Sequence, residues 1–242
     1  IFCIGFIYFL FLLNIFKINS TIIKYYLKGK SMSTNELRPK NLKEYIGQEE
    51  IKEQLNVSIE ASKKRNRQMP HTLFFGGAGL GKTTLSSIIA TEFNSNIVFA
   101  NAANIQKQAD LLSYIVSLEE GDFLFIDEIH QLKSEFEEML YTIMEDFRAD
   151  IVTKAGNDMT PISIELPKFT LVGATTLKGK LTQPLIDRFG IRIELVDYTI
   201  SELVQIISRS AKMLNVSITE EASEKLASCS RGTPRKAIRI LD

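Results

Sequence analysis

The 242 residues are 45% hydrophobic and 24% charged, with 29 basic side chains against 29 acidic ones. That is ordinary globular material for one large domain or one and a half, long enough to bury a sizeable core. The two cysteines, Cys3 and Cys229, lie at opposite ends with no paired spacing. This excludes a disulfide framework and a zinc cluster and makes a reducing, cytosolic setting the default. Residues 1–31 hold four lysines and no acid, leaving 25 basic against 29 acidic residues from Met32 onward, a net charge of −4. A bulk basic field for nucleic acid is therefore excluded, and any such contact has to be local.

The opening run IFCIGFIYFLFLLNIF is apolar apart from Asn14. It is shorter than the ~20 residues of a spanning helix, and no basic region precedes it as a secretory signal requires. Residues 1–31 contain no Ala, Pro, Arg, Asp, Glu or Gln, which is the bias of AT-rich DNA translated without selection. They are read as an upstream read-through, with an N-terminal anchor as the alternative; no membrane association is expected.

From Met32 the pattern alternates strand and helix, the signature of a parallel sheet flanked by helices. HTLFF, NIVFA, FLFID, FTLVGATT and IRIELV read as five strands. SEFEEMLYTIMED starts with Ser134 and Glu137 at capping-box spacing and puts Phe136, Met139, Leu140, Ile143 and Met144 on one helical face. DIVTKAGNDMTPISIEL, residues 150–166, has two β-rich arms around a Gly-Asn-Asp centre and predicts an inserted hairpin. After Tyr198 the sequence is helical, beginning with a second capping box, Thr199 and Glu202. The expected fold is α/β: a P-loop core at 32–198 with a parallel five-stranded sheet, followed by part of an all-α lid at 199–242.

In FFGGAGLGKTTL, Gly76, four residues, Gly81, Lys82 and Thr83 match the phosphate-binding loop between an apolar strand and a helix. The glycines let successive backbone N–H groups turn toward one anion, and the helix N-terminus adds its positive end. Lys82 would neutralise the terminal phosphates and Thr83 would hold magnesium. Gly79 and Thr84 would add phosphate contacts. FLFID ends in Asp127 and Glu128, and an acidic pair closing a buried strand is costly unless a cation meets it. Asp127 would reach magnesium, while Glu128 is placed to polarise the attacking water. No guanine-specific Asn-Lys-x-Asp motif is present, so ATP is favoured over GTP.

IDEIH, LVGATT, PLIDRFGI and SRGTPRKA, in that order, resemble the AAA+ ATPases. LRPKNLKEYIGQ, EEMLYTIMEDFRADI and FTLVGATT closely resemble the bacterial RuvB Holliday-junction branch-migration family, a likeness running from about Glu36 to Asp242. It implies an ATP-hydrolysing motor that works with RuvA on a four-way junction as a homo-oligomeric ring, a hexamer. Leu37, Arg38, Ile46 and Tyr198 would line the adenine pocket. Thr175 or Thr176 would sense the γ-phosphate, and Arg235 would be a second sensor from the lid. Glu145, Asp146 and Phe147 would also contact nucleotide, and Arg188 would be an arginine finger for a neighbour's ATP. His130 is read as a structural coupling residue. The hairpin, with Ile151, Val152, Ile162 and Ile164, would bind RuvA.

Three features depart from the family pattern. Gly77 and Ala78 stand where two prolines are usual, Leu177 stands where an arginine is usual, and the sequence stops within the helix TPRKAIRILD. The last reads as a fragment, with most DNA contact expected from a winged-helix domain beyond it. Two alternatives stay open: a clamp-loader-type ATPase, whose finger normally sits in a Ser-Arg-Cys motif, and an inactive or ATP-switched assembly protein.

Overall fold

A computed structural model describes residues 36–155 and 158–241, with the side chains of 151–161 left aside. The expectations for residues 1–31 and for the hairpin tip lie outside the described residues. Leu37 closes a first unit, and everything below concerns the second, Arg38–Asp242.

Five strands form one parallel sheet: β1 (Thr72–Phe75), β2 (Ile97–Asn101), β3 (Phe123–Asp127), β6 (Thr170–Thr175) and β7 (Ile191–Glu194), in the order β2-β3-β6-β1-β7. Burial on both faces explains why the central strands read as unbroken apolar runs. Phe74, Phe123, Phe125 and Val172 feed one core cluster, while their neighbours Leu73, Phe75, Leu124, Ile126 and Leu171 feed the other. The helices α1 (Glu49–Lys64), α2 (Lys82–Glu92), α3 (Gln108–Val116), α4 (Ser134–Asp146) and the five-residue α5 (Gln183–Asp187) cover the two faces.

Strand order positions the site. The segments after β1, β3 and β6 leave the same C-terminal edge, and β6 runs between β3 and β1. Ligands of open α/β sheets bind in the crevice outside that edge. Gly173 on β6 leaves room for the short 3-10 turn Ile129–Gln131, since a Cβ there would meet Leu73 Cδ1 at 2.9 Å and Ile129 Cδ1 at 3.1 Å.

β4 (Arg148–Ala155) and β5 (Asp158–Glu165) pair antiparallel with Ile151 opposite Ile162 and Ala149 opposite Ile164. The two-stranded unit starts two residues earlier than the sequence pattern suggested. Its root is tied down by buried Ala149 and by the Leu166 N–H donating to the Phe147 carbonyl at 2.8 Å.

Beyond Tyr198 come α6 (Ile200–Leu214), α7 (Glu220–Cys229) and α8 (Pro234–Leu241), packed through Leu203, Ile207, Ala211, Ala227 and Ala237. The Thr199 box forms: its hydroxyl accepts from the Glu202 N–H at 3.3 Å, and Glu202 accepts the Thr199 N–H at 2.7 Å. Such a cap contributes about 1 kcal/mol. The Ser134 box does not form. Lys133 is the N-cap of α4 without a side-chain bond, and Glu137 turns inward, 5% exposed, to accept the Thr182 hydroxyl at 2.7 Å. A long-range partner has outcompeted the local one. Among the described residues no helix is long and apolar enough to cross a membrane.

Candidate nucleotide site

The loop between β1 and α2 folds back on itself because Gly76, Gly79 and Gly81 adopt φ of 140°, 85° and 110°, a region side chains disfavour. Glycine is also needed for space at residue 79, where a Cβ would sit 2.8 Å from Arg235 Cβ and 2.9 Å from Thr233 Cγ2. The lid therefore closes directly over the loop, and the Arg235 N–H donates to the Gly79 carbonyl at 3.4 Å. Lys82 is 7% exposed and donates from Nζ to the carbonyls of Gly76, at 2.7 Å, and Gly77, at 2.9 Å. Burial lowers its pKa, with Glu128 and Asp127 opposing that shift and Arg235 adding to it. Arg38 is likewise lowered, by burial first and then by Arg235. Three cations thus converge beside the glycine loop, an arrangement that an anionic ligand relieves.

The acidic pair lies across from the loop. Glu128 has φ 49°, a left-handed conformation that costs a non-glycine residue roughly 1–2 kcal/mol and re-aims its carboxylate. Its Oε2 accepts from the Thr176 N–H at 3.1 Å and the Thr176 hydroxyl at 2.9 Å. His130 Nδ1 is 3.2 Å from the same oxygen and 2.8 Å from Thr175 Oγ1. A proton on Nδ1 satisfies both oxygens, and Thr175 Oγ1 also accepts the Leu177 N–H at 3.0 Å. Asp127 Oδ1 accepts the Glu128 N–H at 3.1 Å. The strand ends of β3 and β6 are joined by this network, with Thr175 fully buried beneath it.

Next to the loop, Tyr198 donates its hydroxyl to that of Tyr45 at 2.7 Å, and Tyr45 donates to the Leu80 carbonyl at 3.2 Å. Burial pushes the Tyr198 phenol up to about 12 and Tyr45 well above its usual value, so both remain donors. Gln48 donates through Nε2 to the Val196 carbonyl at 2.6 Å and accepts the Val196 N–H at 3.3 Å, prolonging β7 by a side chain. Ile46 is half-buried between these two anchors in sequence, and Leu37 belongs to the first unit.

The residues expected to act on nucleotide fall into two groups. Gly79, Gly81, Lys82, Thr83, Thr84, Asp127, Glu128, Thr175, Thr176, Tyr198, Arg38 and Arg235 border the C-terminal edge. Glu145, Asp146, Phe147 and Arg188 do not join this chain's own loop. The Phe147 ring lies 6.2 Å from that of His71 and 6.1 Å from that of Phe169, the residues that immediately precede β1 and β6. That is the opposite, N-terminal edge. Glu145 Oε1 is 3.3 Å from Arg188 Nε, and Asp146 is 3.9 Å from Arg148 Nε. Arg188 is also the C-cap of α5.

Sequence reasoning passed over Tyr45, Gln48, Thr233, Tyr141 and His71. A tyrosine and a glutamine three apart around Ile-Gly carry no local signal, because their partners lie about 150 residues away.

Among the described residues no group of three or more His, Cys, Asp or Glu side chains could hold a metal ion. Thr83 and Asp127 offer too few oxygens for an all-protein cage. Such a pair suits magnesium, which takes one or two protein oxygens and completes its shell with water and substrate phosphates.

Residues 37–195 match the family described as Holliday junction DNA helicase RuvB P-loop domain, and residues 198–242 match the RuvB AAA lid domain. The Holliday junction branch migration complex subunit RuvB of Kosmotoga olearia is 53% identical over 213 residues, 88% of this chain and 62% of that protein. Its counterpart in Nitratiruptor sp. is 53% identical over 205 residues, 85% of this chain and 61% of that protein. The solved Thermotoga maritima RuvB Holliday junction branch migration motor superposes with a TM-score of 0.76 at 47% identity, covering 85% of this chain and 64% of that one. The chain thus spans about three fifths of the length of the relatives it matches.

Proposed function

The chain belongs to the RuvB family, and from that premise we propose that it forms the ATP-hydrolysing part of a cytoplasmic homo-oligomeric ring, a hexamer, that drives branch migration of a four-way DNA junction with RuvA. The observation that carries this reading is the split of the hydrolytic set between the two edges of one sheet.

On the C-terminal edge, Gly79, Gly81, Lys82 and Thr84 bind the phosphates, and Thr83 with Asp127 would hold magnesium, which would supply positive charge to the phosphates during transfer. Tyr198 with Ile46 and Arg38 faces the adenine. Glu128 takes a proton from the attacking water as its oxygen bonds the γ-phosphorus and the bond to the β-bridging oxygen breaks. With Oε2 held by Thr176, Oε1 is the oxygen for that proton. Thr175 or Thr176 senses the γ-phosphate for the core, and Arg235 does so for the lid.

On the N-terminal edge, Arg188, paired with Glu145, is turned to the nucleotide of a neighbouring copy, which Glu145, Asp146 and Phe147 also contact. A guanidinium supplied to the transferring phosphoryl group is worth about 10³ to 10⁵ in rate. The β4–β5 unit is the RuvA contact. The net charge of −4 from Met32 onward favours local over broad contact with DNA in this part of the protein.

The test mixes Arg188→Ala and Lys82→Ala versions of the full-length gene product. Each alone lacks one half of every site, whereas mixed interfaces join an intact loop to an intact arginine. Turnover above the sum of the two, lost on dilution, supports the ring. Turnover at that sum, while cross-linking shows mixed rings, removes it. Migration of a synthetic four-way junction with purified RuvA tests the motor role.

A further inference from the structure

Helix α4 carries Glu137, Tyr141 and Glu145 four residues apart, so the three side chains form one stripe along its surface. Each serves the short helix α5 or a residue flanking it. At the N-terminal side of α5, the Thr182 hydroxyl donates to the buried Glu137 carboxylate at 2.7 Å, and the Tyr141 hydroxyl lies 2.9 Å from Thr182 Oγ1 and 3.5 Å from Glu137 Oε2. At the C-terminal side, the Arg188 guanidinium carbon stands 4.4 Å from the centroid of the Tyr141 ring. Its Nη1 donates to the Pro184 carbonyl at 2.9 Å, and its Nε pairs with Glu145 Oε1 at 3.3 Å. That Nε is buried without a hydrogen bond of good geometry.

A five-residue helix has no stability of its own, so the direction in which Arg188 points is set by what grips the two ends. Of the three, Tyr141 touches both: its hydroxyl meets the start of α5 and its ring carries the guanidinium at the finish. Stacking occupies one face of the guanidinium plane, and with Nη1 on Pro184 and Nε beside Glu145, Nη2 is left for an anion. The Glu145 pair is weaker support, because that carboxylate is 59% exposed and screened by water.

We propose that Tyr141 is a positioning residue for Arg188, its ring holding the guanidinium in the orientation that reaches a neighbouring copy's nucleotide. This rests on the trans role of Arg188 proposed above. Tyr141 touches no nucleotide of its own chain in this scheme, so its loss changes turnover at the neighbour's site and leaves its own chain's loop intact.

The experiment uses the mixing design in the full-length gene product, with Tyr141→Leu or Tyr141→Phe placed on the Lys82→Ala chain that supplies only the arginine. The Arg188→Ala chain, which supplies the loop, stays otherwise unaltered. With the leucine, turnover at saturating ATP in mixed rings is expected to fall on the order of three- to thirty-fold, the range of a partly desolvated cation–π contact. KM for ATP should hold, because the loop chain is untouched. Phenylalanine keeps the ring and should retain most of the turnover. Equal turnover for leucine and tyrosine donors, or a phenylalanine donor as poor as the leucine one, overturns the proposal. If the leucine chain does not fold by thermal melting, Tyr141→Met takes its place, with the same expectations. Failure of the unsubstituted pair to exceed its sum is a separate outcome, which removes the trans role of Arg188 and this proposal with it.

Discussion

Glu128 is held by Thr176 through two bonds to a single oxygen, 3.1 Å from the backbone N–H and 2.9 Å from the hydroxyl. The carboxylate is thereby fixed at the end of β3 through Oε2. Glu128→Gln keeps the shape and a carbonyl acceptor but has no basic oxygen. ATP affinity should be close to that of the unaltered protein, and turnover should fall on the order of 10² to 10⁴-fold. Lys82→Ala should instead abolish ATP binding, since charge neutralisation is needed in ground and transition states alike. Nucleotide binding by fluorescence and steady-state phosphate release separate the two. Equal ATP affinity in Lys82→Ala and the unaltered protein would sink the phosphate-loop assignment.

Gly79 tests the contact between loop and lid. Alanine there meets a φ of 85° and a Cβ position within 3 Å of both Arg235 and Thr233. The backbone strain alone costs about 1–3 kcal/mol. Gly79→Ala should lower the melting temperature and weaken ATP binding together. Alanine at Gly121, which has open space but also a positive φ, should cost stability without touching nucleotide affinity.

His71 makes stability depend on pH. Its Nδ1 accepts the Leu171 N–H at 2.8 Å, which requires a neutral ring, and Nε2 then donates to the Met144 carbonyl at 3.1 Å. Burial lowers its pKa below the ordinary 6.5, with the Met144 bond partly opposing. A base with a depressed folded pKa binds more protons when unfolded, so stability rises with pH across the interval between the two values. The contribution is complete above about 6.5 and is lost as pH falls through the lower folded value. Urea midpoints between pH 8 and pH 5 should fall, and His71→Asn should flatten that slope. An unchanged slope in the variant would place the acid sensitivity elsewhere.

The hairpin prediction concerns Ile162, which is 44% exposed on β5, with Ile164 half-buried beside the root. A large apolar side chain left in water on an element the core fold does not need is a candidate contact. Ile162→Glu, or the same change at Ile151 opposite it in the register, should weaken RuvA binding at least ten-fold while basal ATP turnover holds. Surface binding measurements with purified RuvA decide it, and unaltered affinity would return both residues to a purely structural role.

The sequence by itself determined everything whose cause is local. The five buried strands are legible because burial on both faces demands unbroken apolar runs such as FLFID. The phosphate loop is legible because only glycines tolerate φ of 85° to 140°, and the Thr199 cap because both partners lie within four residues. The α4 apolar face follows from its period, and Phe136, Leu140, Ile143 and Met144 are buried. What depended on strand order could not be read. Glu137 has capping-box spacing to Ser134, yet tertiary packing gives it Thr182, 45 residues away, as the better partner. Tyr45 carries no signal in sequence, and it meets Tyr198 only because the segments before α1 and before the lid flank the same loop. Glu128 follows the C-terminal end of β3 while Arg188 comes just before β7, so strand order puts the two at opposite edges of the sheet. The reason is the same in each case: a pattern of neighbours along the chain fixes an element and its buried face, while the distance between two elements is set by the packing of all the others.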